Sequence, residues 1–74
     1  ILITSQLRTA LIINKNIKSN NFNIDTHKKK IYIYGIAKDR DELKLVVDEA
    51  NLIVDVEKVI ASILLVEDLR IQKD

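Results

Sequence analysis

The only glycine among 74 residues that include no proline closes the run Ile31-Tyr32-Ile33-Tyr34-Gly35-Ile36-Ala37, and Lys38-Asp39-Arg40-Asp41-Glu42-Leu43 follows at once. Ile31 and Ile33 alternate with Tyr32 and Tyr34. That is the period of a strand, and β-branched and aromatic side chains suit a pleated surface. Asp39, Asp41 and Glu42 then open a helix, where negative charge complements the helix dipole. A glycine inside a strand marks a place where another element passes close to the backbone. The expectation is that a helix, or else a stretch of backbone, passes close over the central strand at Gly35.

The flanking segments complete an architecture. Ile3, Leu7, Ala10 and Leu11 fall at i, i+4, i+7 and i+8, the stripe of an amphipathic helix ending near Asn14. Its N-cap is expected just upstream of Ile1. Asn14-Lys15-Asn16 and Ser19-Asn20-Asn21 form a polar connection with Ile17 beneath it. Phe22, Ile24 and Thr26 alternate with Asn23, Asp25 and His27 as a first strand, and His27-Lys28-Lys29-Lys30 turns the chain back as a hairpin. A second helix runs from about Asp39 to Leu52 and buries Leu43, Val46, Val47 and Ala50, with Ile53 closing its end. Val54-Asp55 turns into a third strand, with Val59, Ala61, Ile63 and Leu65 on one face and Ile60, Ser62, Leu64 and Val66 on the other. The order αββαβ predicts an α+β sandwich: a three-stranded mixed sheet, the glycine strand central, and two helices packed on one face.

The length allows one small domain spanning 1–74. A chain of this size buries only about 60 % of the surface its unfolded form exposes, so each large aliphatic side chain matters. Hydrophobic residues make up 47 % of the composition, nearly all Ile, Leu and Val, which excludes intrinsic disorder. There is no cysteine, and hence no disulfide or thiolate-metal staple. No apolar run approaches the roughly 18 residues of a membrane span, and no signal peptide opens the chain. Lacking an initiating methionine, the sequence reads as a domain of a longer protein.

Residues 1–38 carry seven Lys/Arg and one acid, net +6; residues 39–74 carry five Lys/Arg and ten acids, net −5. Such a split can steer an anionic partner or favour head-to-tail contact between copies.

Nothing in the chain assembles a catalytic or metal-binding set. His27, the only histidine, stands beside three lysines and reads as a solvated turn residue. Asp41 and Glu42, like Asp48 and Glu49, are sequence neighbours that point apart on a helix. Ser5, Ser19 and Ser62 have no positioned base. Zinc and calcium spacings are missing, as is any glycine-rich loop for phosphate or for an RNA clamp. The expectation is a protein that is not an enzyme, holds no cofactor and binds no nucleic acid.

The ordered pieces Ile3-Thr4, Leu7-Arg8-Thr9-Ala10-Leu11, Asn23-Ile24-Asp25-Thr26, Tyr32-Ile33-Tyr34-Gly35-Ile36-Ala37, Glu42-Leu43, Ala50 and Val56-Glu57-Lys58-Val59-Ile60 resemble a BON domain, the family of bacterial osmotic-shock and nodulation proteins. Ser19-Asn20-Asn21-Phe22 and the Gly35-Ile36-Ala37 ending are most similar to the second copy in periplasmic proteins that carry two such domains. The family usually turns its hairpin with Asn-Gly or Asp-Gly, where this chain has Lys28-Lys29-Lys30. It usually places Gly where this chain has Asp55, a residue that tolerates positive φ better than most. The resemblance implies a periplasmic or envelope-associated module, and some two-domain lipoproteins of this kind bind anionic phospholipid through the helical surface of the second domain.

Two surfaces follow as candidates. On the helices, Arg8, Ile12 and Lys15 of the first and Leu45 and Leu52 of the second would face a lipid or partner, with both leucines expected to be wet. On the sheet, Tyr32, Tyr34, Ile60 and Leu64 would cover a face that has no layer of its own, and contiguous apolar patches on a small monomer tend to be interfaces. The first reading is peripheral binding to phospholipid at the outer-membrane periphery. The alternative is a protein–protein or self-association domain docking through its open sheet, for example on a sister domain.

Overall fold

The computed structural model describes residues 2–69. Along the chain run α1 (Ile3–Ile13), a 3₁₀ turn (Ser19–Asn21), β1 (Phe22–His27), β2 (Lys30–Ala37), α2 (Arg40–Asn51), β3 (Lys58–Leu65) and the single turn α3 (Val66–Leu69). The expected α+β class, mixed sheet and central glycine strand are present. β1 pairs antiparallel with β2, and β2 pairs parallel with β3. The 3₁₀ turn and α3 are additions to the expectation, and Val66 opens α3 rather than extending the third strand.

Register places Phe22, Ile24 and Thr26 on the same face as Ile31, Ile33, Gly35 and Ala37, and beside them Val59, Ala61, Ile63 and Leu65. Both helices cover this face. The core consists of Leu7 and Leu11 from α1, Ile17, Phe22, Ile31, Ile33 and Ala37, Val46 and Ala50 from α2, and Leu65. Full burial of each large side chain among them contributes about 1.5–3 kcal/mol. Thr4 and Thr26 share a hydroxyl hydrogen bond that fixes the start of α1 on β1.

Three local features set the geometry. α1 has Leu2 at its N-cap position with no side-chain cap, and not a cap upstream of Ile1 as expected. The hairpin tip holds Lys28 at φ 49° and Lys29 at φ 68°, and Asp55 adopts φ 71°, the left-handed turn that its residue type tolerates. The close approach expected at Gly35 is present, made by backbone and not by a crossing helix: a Cβ there would meet the Asn21 carbonyl oxygen at 2.1 Å and Phe22 Cα at 2.9 Å.

Candidate functional site

The joint between the two helices is built around polar side chains. Asp39 caps α2, its Oδ1 accepting the Glu42 N–H at 2.9 Å. Glu42 itself is only 2 % exposed. Its Oε2 accepts the backbone N–H of Lys18 at 2.7 Å and its Oε1 that of Lys38 at 2.8 Å. One carboxylate therefore ties the α1–β1 connection to the β2–α2 corner. In a capping box the glutamate returns to the backbone N–H of the cap residue; here it serves the residue before the cap and a second chain segment instead. The spacing Asp39-x-x-Glu42 was the available sequence signal, and reasoning from dipole alone missed it.

Asn14 makes the second link. Its Oδ1 accepts the Asn16 N–H at 2.9 Å, forming a local turn that ends α1, and its Nδ2 donates to Glu49 Oε2 at 3.3 Å. Leu45, Glu49 and Leu52 fall at i, i+4 and i+7, so they share one flank of α2, the flank that meets the end of α1. Leu45 is half-buried and packs on the core, a correction to its expected exposure. The α1–β1 connection held down by Asn14 and Glu42 brings Asn16 beside it.

Leu52, by contrast, is 76 % exposed, and Val54 just beyond it 72 %. At the C-terminal end of α1, Ile12 is 63 % and Ile13 71 % exposed. Arg8, one turn before Ile12, and Lys15, just after Asn14, are exposed near the same helix end. A shallow recess of about 380 Å³ continues from this edge, where Lys15, Lys18 and Lys38 surround Glu42 with Ile17 and Asn21.

Four of the five acids between Asp39 and Glu49 make contacts within the fold. Asp39 caps, Glu42 is buried between two N–H groups, Asp48 pairs with Lys44 at 3.0 Å, and Glu49 holds Asn14. Among the described residues Asp41 alone of the five is exposed without such a contact.

The sheet's other face carries the second candidate set. Register aligns His27, Lys30 and Lys58 in one row, Asp25, Tyr32 and Ile60 in the next, then Asn23, Tyr34 and Ser62, and last Ile36 and Leu64. Tyr32 and Ile60 are half-buried, while Tyr34, Ile36 and Leu64 are 46, 40 and 56 % exposed. No described element covers them. The aliphatic side chains exposed at the helix ends are therefore more exposed than those of the sheet face.

Among the described residues no helix is long and apolar enough to cross a membrane. The chain matches no family model and no curated protein sequence.

Proposed function

We propose that this chain is a non-catalytic interaction module of the bacterial envelope that associates peripherally with anionic phospholipid through the joint of its two helices. Ile12, Ile13 and Leu52 enter the boundary between headgroups and acyl chains, and Arg8 and Lys15 contact the phosphates. Each basic side chain near such a surface contributes on the order of 1 kcal/mol. The observation that supports this reading is the exposure of Ile12 and Ile13 beside Arg8 and Lys15 at the end of α1, with Leu52 exposed at the end of α2. The resemblance to BON domains supplies the envelope setting and agrees with a helical binding surface. Flotation with vesicles of phosphatidylglycerol and of phosphatidylcholine tests it: recovery with the first and not the second is expected, and no recovery with either overturns the reading.

A second reading, docking of another protein domain on the open sheet, is favoured by the uncovered Tyr34, Ile36 and Leu64. It requires no lipid, so binding of such a domain in detergent-free solution separates the two.

A further inference from the structure

The recess beside Glu42 gathers cations from two separate parts of the chain. Lys15 and Lys18 border it from the α1–β1 connection, and Lys38 from the β2–α2 corner. Glu42 holds the last two together: its one carboxylate accepts the backbone N–H of both Lys18 and Lys38, so their main chains stand two hydrogen bonds apart. All three lysines are exposed. Among the described residues none of them makes an ion pair or a side-chain hydrogen bond. Lys38 also borders a neighbouring hollow with Asp39 and Asp41, and pairs with neither.

The carboxylate at the bottom does not answer these charges. Each of its oxygens already accepts a backbone N–H, and the side chain is 2 % exposed. Three ammonium groups less that one carboxylate leave the recess at a local charge of +2. Asn16 and Asn21 bring carboxamides to the rim and Ile17 an apolar wall. The lining therefore offers charge and hydrogen-bond donors to an anion of matching charge. We propose that this recess binds a phosphate monoester, whose charge of about −1.5 to −2 at pH 7 is the complement of the site. A phosphodiester carries a single charge and fills only half of that complement.

Recognition runs through side chains. The N–H groups of Lys18 and Lys38 are occupied by Glu42, so no backbone cradle is open to the anion. Lysine suits the task, since its ammonium binds phosphate as a compact charge with three donors and needs no fixed fork geometry. The hollow, about 380 Å³, is large beside a water's share of about 30 Å³, and admits the phosphate with part of the group it esterifies. The monoester can be a small soluble molecule or the headgroup of phosphatidic acid. The site contains none of Arg8, Ile12, Ile13 and Leu52 and shares only Lys15 with the lipid surface. A soluble ester reaches it without a membrane, so the two readings fail separately.

Glycerol phosphate titrated into the isotope-labelled domain is the probe. Saturating amide shifts are expected at Lys15, Lys18, Asn21 and Lys38. Lys18→Gln and Lys38→Gln should each weaken binding about tenfold, the loss of one charge-assisted contact. Lys28→Gln, at the hairpin tip, should leave it unchanged. Both recess variants keep the N–H that Glu42 holds, so they should fold as the parent does. Dimethyl phosphate, a diester, should bind about tenfold more weakly than the monoester, as expected where one unit of charge is lost. Phosphatidic acid vesicles separate the two sources. Displacement of the domain from them by glycerol phosphate puts the lipid headgroup in the recess, whereas binding of glycerol phosphate without such displacement makes the ligand soluble. The absence of saturable shifts at tens of millimolar glycerol phosphate overturns the proposal. So do shifts that persist undiminished in both lysine variants, or a diester that binds as tightly as the monoester.

Discussion

Gly35 and Asn21 meet backbone to backbone: a side-chain carbon on the glycine would lie 2.1 Å from the asparagine's carbonyl oxygen. The φ of Gly35, 154°, is itself one that L side chains rarely adopt. The 3₁₀ turn feeds directly into β1 across from this point, where Phe22 pairs with Gly35. Neither segment can retreat without breaking the β1–β2 register. Gly35→Ala is therefore expected to cost about 2–4 kcal/mol, a large part of a small domain's stability. Urea denaturation should show the midpoint falling with the slope unchanged; an unaltered midpoint would mean that the turn yields.

Glu42 supplies the second prediction. A carboxylate is acceptor-only and here meets two N–H donors, one per oxygen. Glu42→Gln keeps one acceptor and turns an NH₂ toward the other donor, leaving a buried N–H unpaired. The expected loss is about 1–3 kcal/mol. Amide exchange should quicken first at Lys18 and Lys38, and a variant as stable as the parent with both amides still protected would refute the role.

The contrast between these two residues shows what the sequence made legible. Alternation of Ile31 and Ile33 with Tyr32 and Tyr34 carries its meaning locally, because the period of a strand is two whatever lies around it. The strands, the helices and the sheet's two faces were readable for that reason. Glu42 bonds to a residue 24 positions away and Gly35 touches the turn before β1. Such contacts belong to the tertiary arrangement, and no local period encodes them. Leu45 shows the same limit: helical spacing put it on the outer side of α2, and only the course of the α1–β1 connection covers it. On the candidate surfaces, Ile12, Leu52 and Tyr34 were legible as exposed because stripe and alternation had already assigned the core. Ile13 and Val54 were missed, since one borders the stripe and the other lies in a turn.

The hairpin tip offers a stabilising change. Lys28 and Lys29 both hold positive φ, a two-residue turn for which Asn-Gly is the preferred pair. Replacing Lys28-Lys29 with Asn-Gly should raise stability by about 0.5–2 kcal/mol, by relieving the left-handed strain and reducing repulsion with Lys30 and Lys58. A thermal midpoint that does not rise would show that the lysines sit there at no cost.

Tyr34 tests the open sheet face as a docking surface. Its ring is nearly half exposed and lies on the central strand, away from either edge. Tyr34→Lys should leave the monomer within about 0.5 kcal/mol of the parent and should weaken any self-association that runs through the sheet face. Self-association that persists unchanged in this variant, with its circular dichroism intact, would place the contact elsewhere.

The last prediction concerns how the helical joint meets lipid, where apolar and charged contributions respond to different variables. Arg8→Glu with Lys15→Glu changes the local charge by four while leaving Ile12, Ile13 and Leu52 in place. Binding to phosphatidylglycerol vesicles should be lost at low salt, because the two introduced glutamates repel the anionic headgroups where two cations attracted them. Leu52→Ser with Ile13→Ser removes insertion and keeps the attraction. That variant should still bind at low salt but release as ionic strength passes about 0.1 M, where the Debye length falls to roughly 10 Å. The unmodified domain should lie between these limits, weakened by salt yet not abolished, since inserted aliphatic side chains do not depend on screening. All four residues are well exposed, so both double variants should fold as the parent does. If they instead bind identically to the parent at every salt concentration, the joint is not the lipid contact, and the open sheet face becomes the surface to test for a protein partner.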